Sequence, residues 1–155
     1  NYLNSVSDGR LSTDSKTKIH SMLREVTEIE SIGDSCYNLA RTINRKHLSN
    51  KDFTPKQYEH IHQMFKLVDG ALSQMILLVE DTHHAVDVNK SFNIENEINN
   101  YRNQLKTQNV VDVNNKEYDY QMGIHYMDII GECEKLGDYV VNVVEAGSLV
   151  KEKKA

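Results

Sequence analysis

The sequence predicts an all-α fold, an antiparallel helix bundle. Three observations carry this. Apolar residues recur at helical spacing along four long stretches. One proline, seven glycines and no tryptophan among 155 residues are too few breakers for a turn-rich β-sandwich and suit long helices. The links between stretches are short, which makes successive helices antiparallel neighbours. A chain of this length can bury roughly 70% of its unfolded surface in one domain.

The first helix is expected over residues 14–47. Ser12-Thr13-Asp14 offers an N-cap cluster with an acid in the first turn. Ile19, Met22, Val26, Ile29, Ile32, Cys36, Leu39 and Ile43 then follow at helical spacing. Residues 1–10 read as the end of an earlier helix with a turn at Asp8-Gly9. The second helix has the sharpest start in the chain. Thr54 stands at N-cap, Pro55 at N1 and Gln57 at N3, with Phe53 and Tyr58 at the positions of a hydrophobic staple. It is expected to end near Ala85–Val88. The third, over about 91–110, is polar and shows only a narrow stripe of Ile94, Ile98, Tyr101 and Leu105. Residues 111–115 read as a loop, with Asn114 and Glu117 as a capping pair for the last helix. That helix runs to about 150 on Met122, Tyr126, Ile129, Cys133, Leu136, Val140 and Val143.

The formal net charge of −5 argues against a free-standing nucleic-acid binder, and no nucleic-acid partner is expected. Two cysteines are too few for a secreted disulfide scaffold. Both fall in helical apolar patterns, so Cys36 and Cys133 are expected buried, reduced and cytosolic. No 18-residue apolar run is present. The chain opens at Asn1-Tyr2-Leu3 without a methionine, and we expect a longer protein upstream.

Two segments match without a gap. Glu28-Ile29-Glu30-Ser31-Ile32-Gly33-Asp34 leads to Asn38, and Glu132-Cys133-Glu134-Lys135-Leu136-Gly137-Asp138 leads to Asn142. The shared pattern is E-x-E-x-[IL]-G-D-x-x-x-N, which makes the first and last helices equivalent parts of a duplicated unit. Positions i, i+4 and i+8 share a helix face. Glu30, Asp34 and Asn38 therefore form one row, Glu134, Asp138 and Asn142 another, and each row lies away from its helix's apolar stripe. Glu28 and Glu132 point away from the rows and read as structural.

A row of acids is most simply a solvated face. Two costs argue for more. Like charges at i,i+4 repel by a few tenths of a kcal/mol. Gly33 and Gly137 each cost about 1 kcal/mol inside a helix. Glycine beside the row allows close approach of another backbone or of an ion. Paired carboxylates are hard-oxygen ligands for a multivalent cation. Glu30, Asp34, Glu134 and Asp138 are the expected metal ligands, with two carboxylates per site and hence weak binding.

The repeat resembles the signature of the PhoU family, whose helices carry an E-x-x-G-D core and whose members hold metal clusters on it. Ile29-Glu30-Ser31-Ile32-Gly33-Asp34-Ser35-Cys36-Tyr37-Asn38 is most similar to the PhoU-like C-terminal cytoplasmic domain of bacterial sodium/phosphate cotransporters. The resemblance implies two three-helix halves, each with the signature on its third helix. Residues 1–50 would be the last helix of a first half truncated upstream, and 51–155 a complete second half. It further implies a regulatory, non-enzymatic domain at the cytoplasmic face of the bacterial inner membrane. Its partner would be a membrane transport domain in the same polypeptide, with a homo-oligomer as a further partner. The metal would be Fe, Mn, Zn or Mg. The other readings are a stand-alone PhoU-type regulator of phosphate uptake and a di-metal carboxylate enzyme. The enzyme would need Glu-x-x-His on two helices. Glu59-x-x-His62 and Glu80-x-x-His83 have the spacing, but lie about 31 Å apart on one expected helix. None of the seven histidines sits in a phosphotransfer motif.

Overall fold

A computed structural model describes residues 12–80 and 87–151. The expected turn at Asp8-Gly9 and His83 lie outside them, as do residues 85 and 86 of the expected end of the second helix, while Asp87 and Val88 are described and are not helical. The described residues form four helices and no strand: α1 Thr13–Leu48, α2 Pro55–Glu80, α3 Asn89–Asn114 and α4 Tyr120–Lys151. No described helix is long and apolar enough to cross a membrane.

Ser12 caps α1 by accepting the Ser15 N–H at 3.2 Å. Arg45, Lys46 and His47 suit the dipole at its other end. The chain leaves α1 through Asn50, whose φ of 56° is left-handed, as asparagine tolerates. Thr54 and Gln57 then satisfy each other as the sequence predicts. The Thr54 hydroxyl accepts the Gln57 N–H at 3.2 Å and the Gln57 side-chain Oε1 accepts the Thr54 N–H at 2.9 Å. Phe53 staples this start edge-on against Tyr58, with ring centroids 5.5 Å apart.

Residues 111–115 do not form the expected loop. α3 continues to Asn114 and stops where Lys116 turns left-handed, at φ 60°. The Val113 side chain lies where a Cβ on Gly123 would meet it, so the last turn of α3 is held against the first turn of α4. Asp119, rather than Asn114, caps α4 by accepting the Met122 N–H at 2.8 Å.

The core lies among α2, α3 and α4. Met64, Ile98, Ile130, Cys133 and Val143 are wholly buried there. Among the described residues α1 packs along α4, and it reaches α2 at its end through Lys46, whose ammonium donates to the Tyr58 hydroxyl at 2.9 Å. The two duplicated helices therefore lie side by side and antiparallel, α1 outside the three-helix core. Their seam is polar. Ser21, Ser35 and Thr42 are the buried residues of α1. The Ser35 hydroxyl donates to Glu132 at 2.9 Å, and the Asn142 amide donates to Glu28 at 3.2 Å. Glu28 and Glu132 thus have the structural role their phase implied.

This arrangement corrects two expectations for α1. Ile29 and Ile43 are 44% and 42% exposed, and Cys36 is exposed rather than buried. Only Ile32 and Leu39 of the expected stripe lean on the core. The reason is geometric: α1 turns its serine and threonine side to α4, and no described helix faces the apolar side. Cys133 is buried as expected, and both thiols are free.

Candidate functional site: two copies of a carboxylate motif

In the second copy, Glu134 and Asp138 stand on α4 facing α3. Arg102 of α3 pairs with Glu134, Nε to Oε2 at 3.0 Å, with the two side chains only 30% and 25% exposed. Such a half-shielded pair is less screened than a surface one. Gly137 sits between the two acids, and a Cβ there would come within 3.2 Å of Ile98 Cδ1. The glycine therefore admits Ile98, and α3 with it, to close range. Asp138 stands beside Glu95, and hydrogen bonding between the two carboxyls favours the protonated form of Asp138. Asp138 keeps part of its surface open to solvent. Even so, crowding by protein, then the charge of Glu134 and the bond to Glu95, push it up to about 6 against the opposing pull of Arg102. Asn99, one turn along α3, donates to Glu95 at 2.6 Å while its buried Oδ1 has no hydrogen-bond partner.

The first copy has the same residues and none of these partners. Glu30, Gly33 and Asp34 are exposed, and nothing described lies within 4 Å of a Cβ built on Gly33. α1 and α4 meet through their Glu28 and Glu132 sides. Glu134 and Asp138 turn toward α3 while Asn142 of the same row enters the seam, and Glu30, Asp34 and Asn38 are exposed. The structure thus keeps Glu30 with Asp34, and Glu134 with Asp138, without bringing the pairs together. Among the described residues, no three His, Cys, Asp or Glu side chains are grouped to hold a metal ion. Glu59 and His62 are exposed on α2, away from these acids.

Sequence reasoning missed Glu95, Asn99 and Arg102. The usable signal was their spacing: Glu95, Ile98 and Arg102 mark one face of α3 and oppose Asp138, Gly137 and Glu134 on an antiparallel neighbour. It also missed a cavity of about 370 Å³ between the start of α2 and the end of α3, lined in part by Gln57, His60, Asn109, Asp112, Tyr118 and Tyr126. There His60 Nδ1 and the Tyr126 hydroxyl lie 2.9 Å apart, and Tyr118 donates to Asn109 at 2.7 Å. Burial, with help from the Asp112 charge, pushes the Tyr118 hydroxyl up to about 12, and burial holds His60 below its ordinary range. Both are neutral near pH 7.

The duplicated E-x-x-G-D helices, with α3 docked on the second, are the distinguishing feature of the molecule. The model of the PhoU domain matches residues 61–147, more than half of the chain. The chain belongs to the PhoU family. It is also similar to the "Phosphate-specific transport system accessory protein PhoU homolog" of two Streptococcus pneumoniae strains, TIGR4 and R6. Each is 25% identical over 125 residues, covering 81% of this chain and 56% of the relative. The chain thus spans about half the length of these PhoU relatives. No solved structure matches it.

Proposed function

We propose that this PhoU-family chain is a regulatory domain acting on phosphate transport, and that it does so as the cytoplasmic domain of a bacterial sodium-dependent phosphate transporter. The observation that carries the regulatory reading is the family match over residues 61–147, which include the second copy of the motif. The stretch Ile29–Asn38 supports the transporter branch by resemblance. In this reading residues 1–50 close a first three-helix half and 51–155 form the second. The relatives' name favours a second reading, a stand-alone regulator of a phosphate-specific transport system.

Removing the coding region for residues 12–151 from its own gene and measuring phosphate uptake with and without sodium separates the two. Altered sodium-dependent uptake supports the first reading. Altered sodium-independent uptake alone supports the second. Unchanged uptake in both refutes regulation.

We also propose Glu30, Asp34, Glu134 and Asp138 as weak ligands for Fe, Mn, Zn or Mg. The second pair does not fit a metal as it stands, because Arg102 occupies Glu134. A cation there must displace the arginine. Replacing Asp34 and Asp138 together by Asn should abolish stoichiometric metal in elemental analysis with helicity intact. Unaltered metal content removes these residues as ligands.

A further inference from the structure

The cavity between the start of α2 and the end of α3 lies apart from the carboxylate motif. Tyr126 on its wall and Asp138 stand roughly 18 Å apart along α4. Its volume of about 370 Å³ falls in the range of small-molecule sites and exceeds what one bridging water fills. One side of it asks for a hydrogen-bond acceptor. Gln57 is only 2% exposed, and its Oε1 is spent on the Thr54 N–H. Its Nε2 is buried and makes no hydrogen bond. The amide leans toward Tyr118 and opposes the upward push on that hydroxyl, whose proton goes to Asn109. A buried donor left unmet is costly. The N-terminus of α2 adds partial positive charge on the same side.

The other side asks for donors. Asp112 and Glu117 bring two carboxylates to the wall, against the one ammonium of Lys56. Gln108 takes Oδ1 of Asp112 at 2.8 Å, and an ionised carboxylate can only accept. Between the two sides stand the rings of Tyr118 and Tyr126, edge to face with centroids 6.5 Å apart. A small anion would answer Gln57 and meet two like charges. A bare cation would answer the carboxylates and leave Gln57 unmet. A planar lactam, with a carbonyl oxygen next to N–H groups, answers both. We propose that this cavity binds a small planar lactam of the guanine type. Its carbonyl oxygen accepts from Gln57 Nε2, its adjoining N–H groups donate to Asp112, and its ring lies against the tyrosines. The net charge of −5 makes the occupant a free nucleoside rather than a nucleic acid. The inference stands on this cavity and on neither phosphate transport nor a metal, so each can fail without the other.

The test is isothermal titration calorimetry of the 155-residue chain at pH 7 with guanosine, adenosine and inorganic phosphate in turn. Guanosine should bind one to one. Adenosine, which lacks the carbonyl and the N–H beside it, should bind at least about 10-fold more weakly. Gln57→Glu keeps the acceptor that caps Thr54 and turns the free donor into an acceptor. It should leave helicity unchanged and weaken guanosine about 10-fold or more. Asp112→Asn tests the opposite wall without touching that cap and should weaken guanosine to a similar degree. Equal affinity for guanosine and adenosine overturns the proposal by reducing the site to ring stacking. Phosphate binding in preference to guanosine overturns it in favour of an anion site. Guanosine affinity unaltered in both folded variants, or no heat from any of the three probes, overturns it as well.

Discussion

The two motif glycines stand in equal sequence contexts and opposite surroundings, so the same substitution should have opposite effects. Glycine inside a helix costs about 1 kcal/mol relative to alanine. At position 33 a new Cβ meets nothing within 4 Å. Gly33→Ala should therefore stabilise the 155-residue chain by about 1 kcal/mol, and Gly33→Leu by nearly as much. At position 137 the new Cβ lies 3.2 Å from Ile98 Cδ1 and 3.5 Å from Cγ2, and Ile98 is wholly buried. The overlap offsets the propensity gain, and Gly137→Ala should come out near zero or slightly destabilising. Leucine cannot be relieved by a small shift of Ile98, and Gly137→Leu should cost about 2–3 kcal/mol, the upper part of the overpacking range. Urea unfolding followed by far-UV circular dichroism reads all four variants, and an unchanged m-value shows that stability alone has moved. A loss of more than about 1 kcal/mol in Gly33→Leu would show that something covers α1 in the isolated chain. A neutral Gly137→Leu would refute the account of the glycine as the place where α3 gains close approach.

Asp138 is raised to about 6 in the fold, so its contribution is present below the ordinary aspartate range and is lost as pH rises toward and through 6. Asp138→Asn should remove that loss, gaining about 1 kcal/mol at pH 7.5 and little at pH 4.5 after allowance for solvent screening; urea midpoints across this range check it. Arg102→Ala leaves Glu134 half-buried without its cation and should cost about 1–2 kcal/mol at pH 7, with much of it recovered in Arg102→Ala/Glu134→Gln. The same Arg102→Ala variant should gain thermal stability from added Mn²⁺ if Glu134 is a metal ligand held back by arginine, and an unshifted melting curve speaks against that role. Thr54→Ala removes the acceptor for the Gln57 N–H and should cost about 1 kcal/mol by urea unfolding.

Local chemistry was the most legible part of the sequence. Thr54, Pro55 and Gln57 carry their instruction within four residues, and the capping box forms as read. Helix period placed all four elements, because it depends on the chain's immediate neighbours. The end of α3 was misread because Val111-Asp112-Val113-Asn114-Asn115 has loop-like composition, while the deciding contact, Val113 against Gly123, is made between two helices. The apolar side of α1 was misread for a related reason. Period shows that Met22, Val26, Ile29 and Cys36 share a face, but not whether a helix stands opposite. The motif acids were found, and their partners were not. Glu95 and Arg102 look like ordinary surface charges until α3 and α4 are set antiparallel with Ile98 over Gly137.

The polar seam between α1 and α4 bears on the order in which the molecule assembles. The partners across it, Ser35 with Glu132, Asn142 with Glu28 and Arg24 with Glu145, lie 97 to 121 positions apart. The α2, α3 and α4 contacts are joined by short links and can form early, because little chain entropy is lost in closing them. Serine, threonine and acid pairs add little drive for burial, so α1 should dock last and leave first. Its amides should exchange with deuterium through a local opening well below the free energy of global unfolding, as a cooperative unit separate from the other three helices.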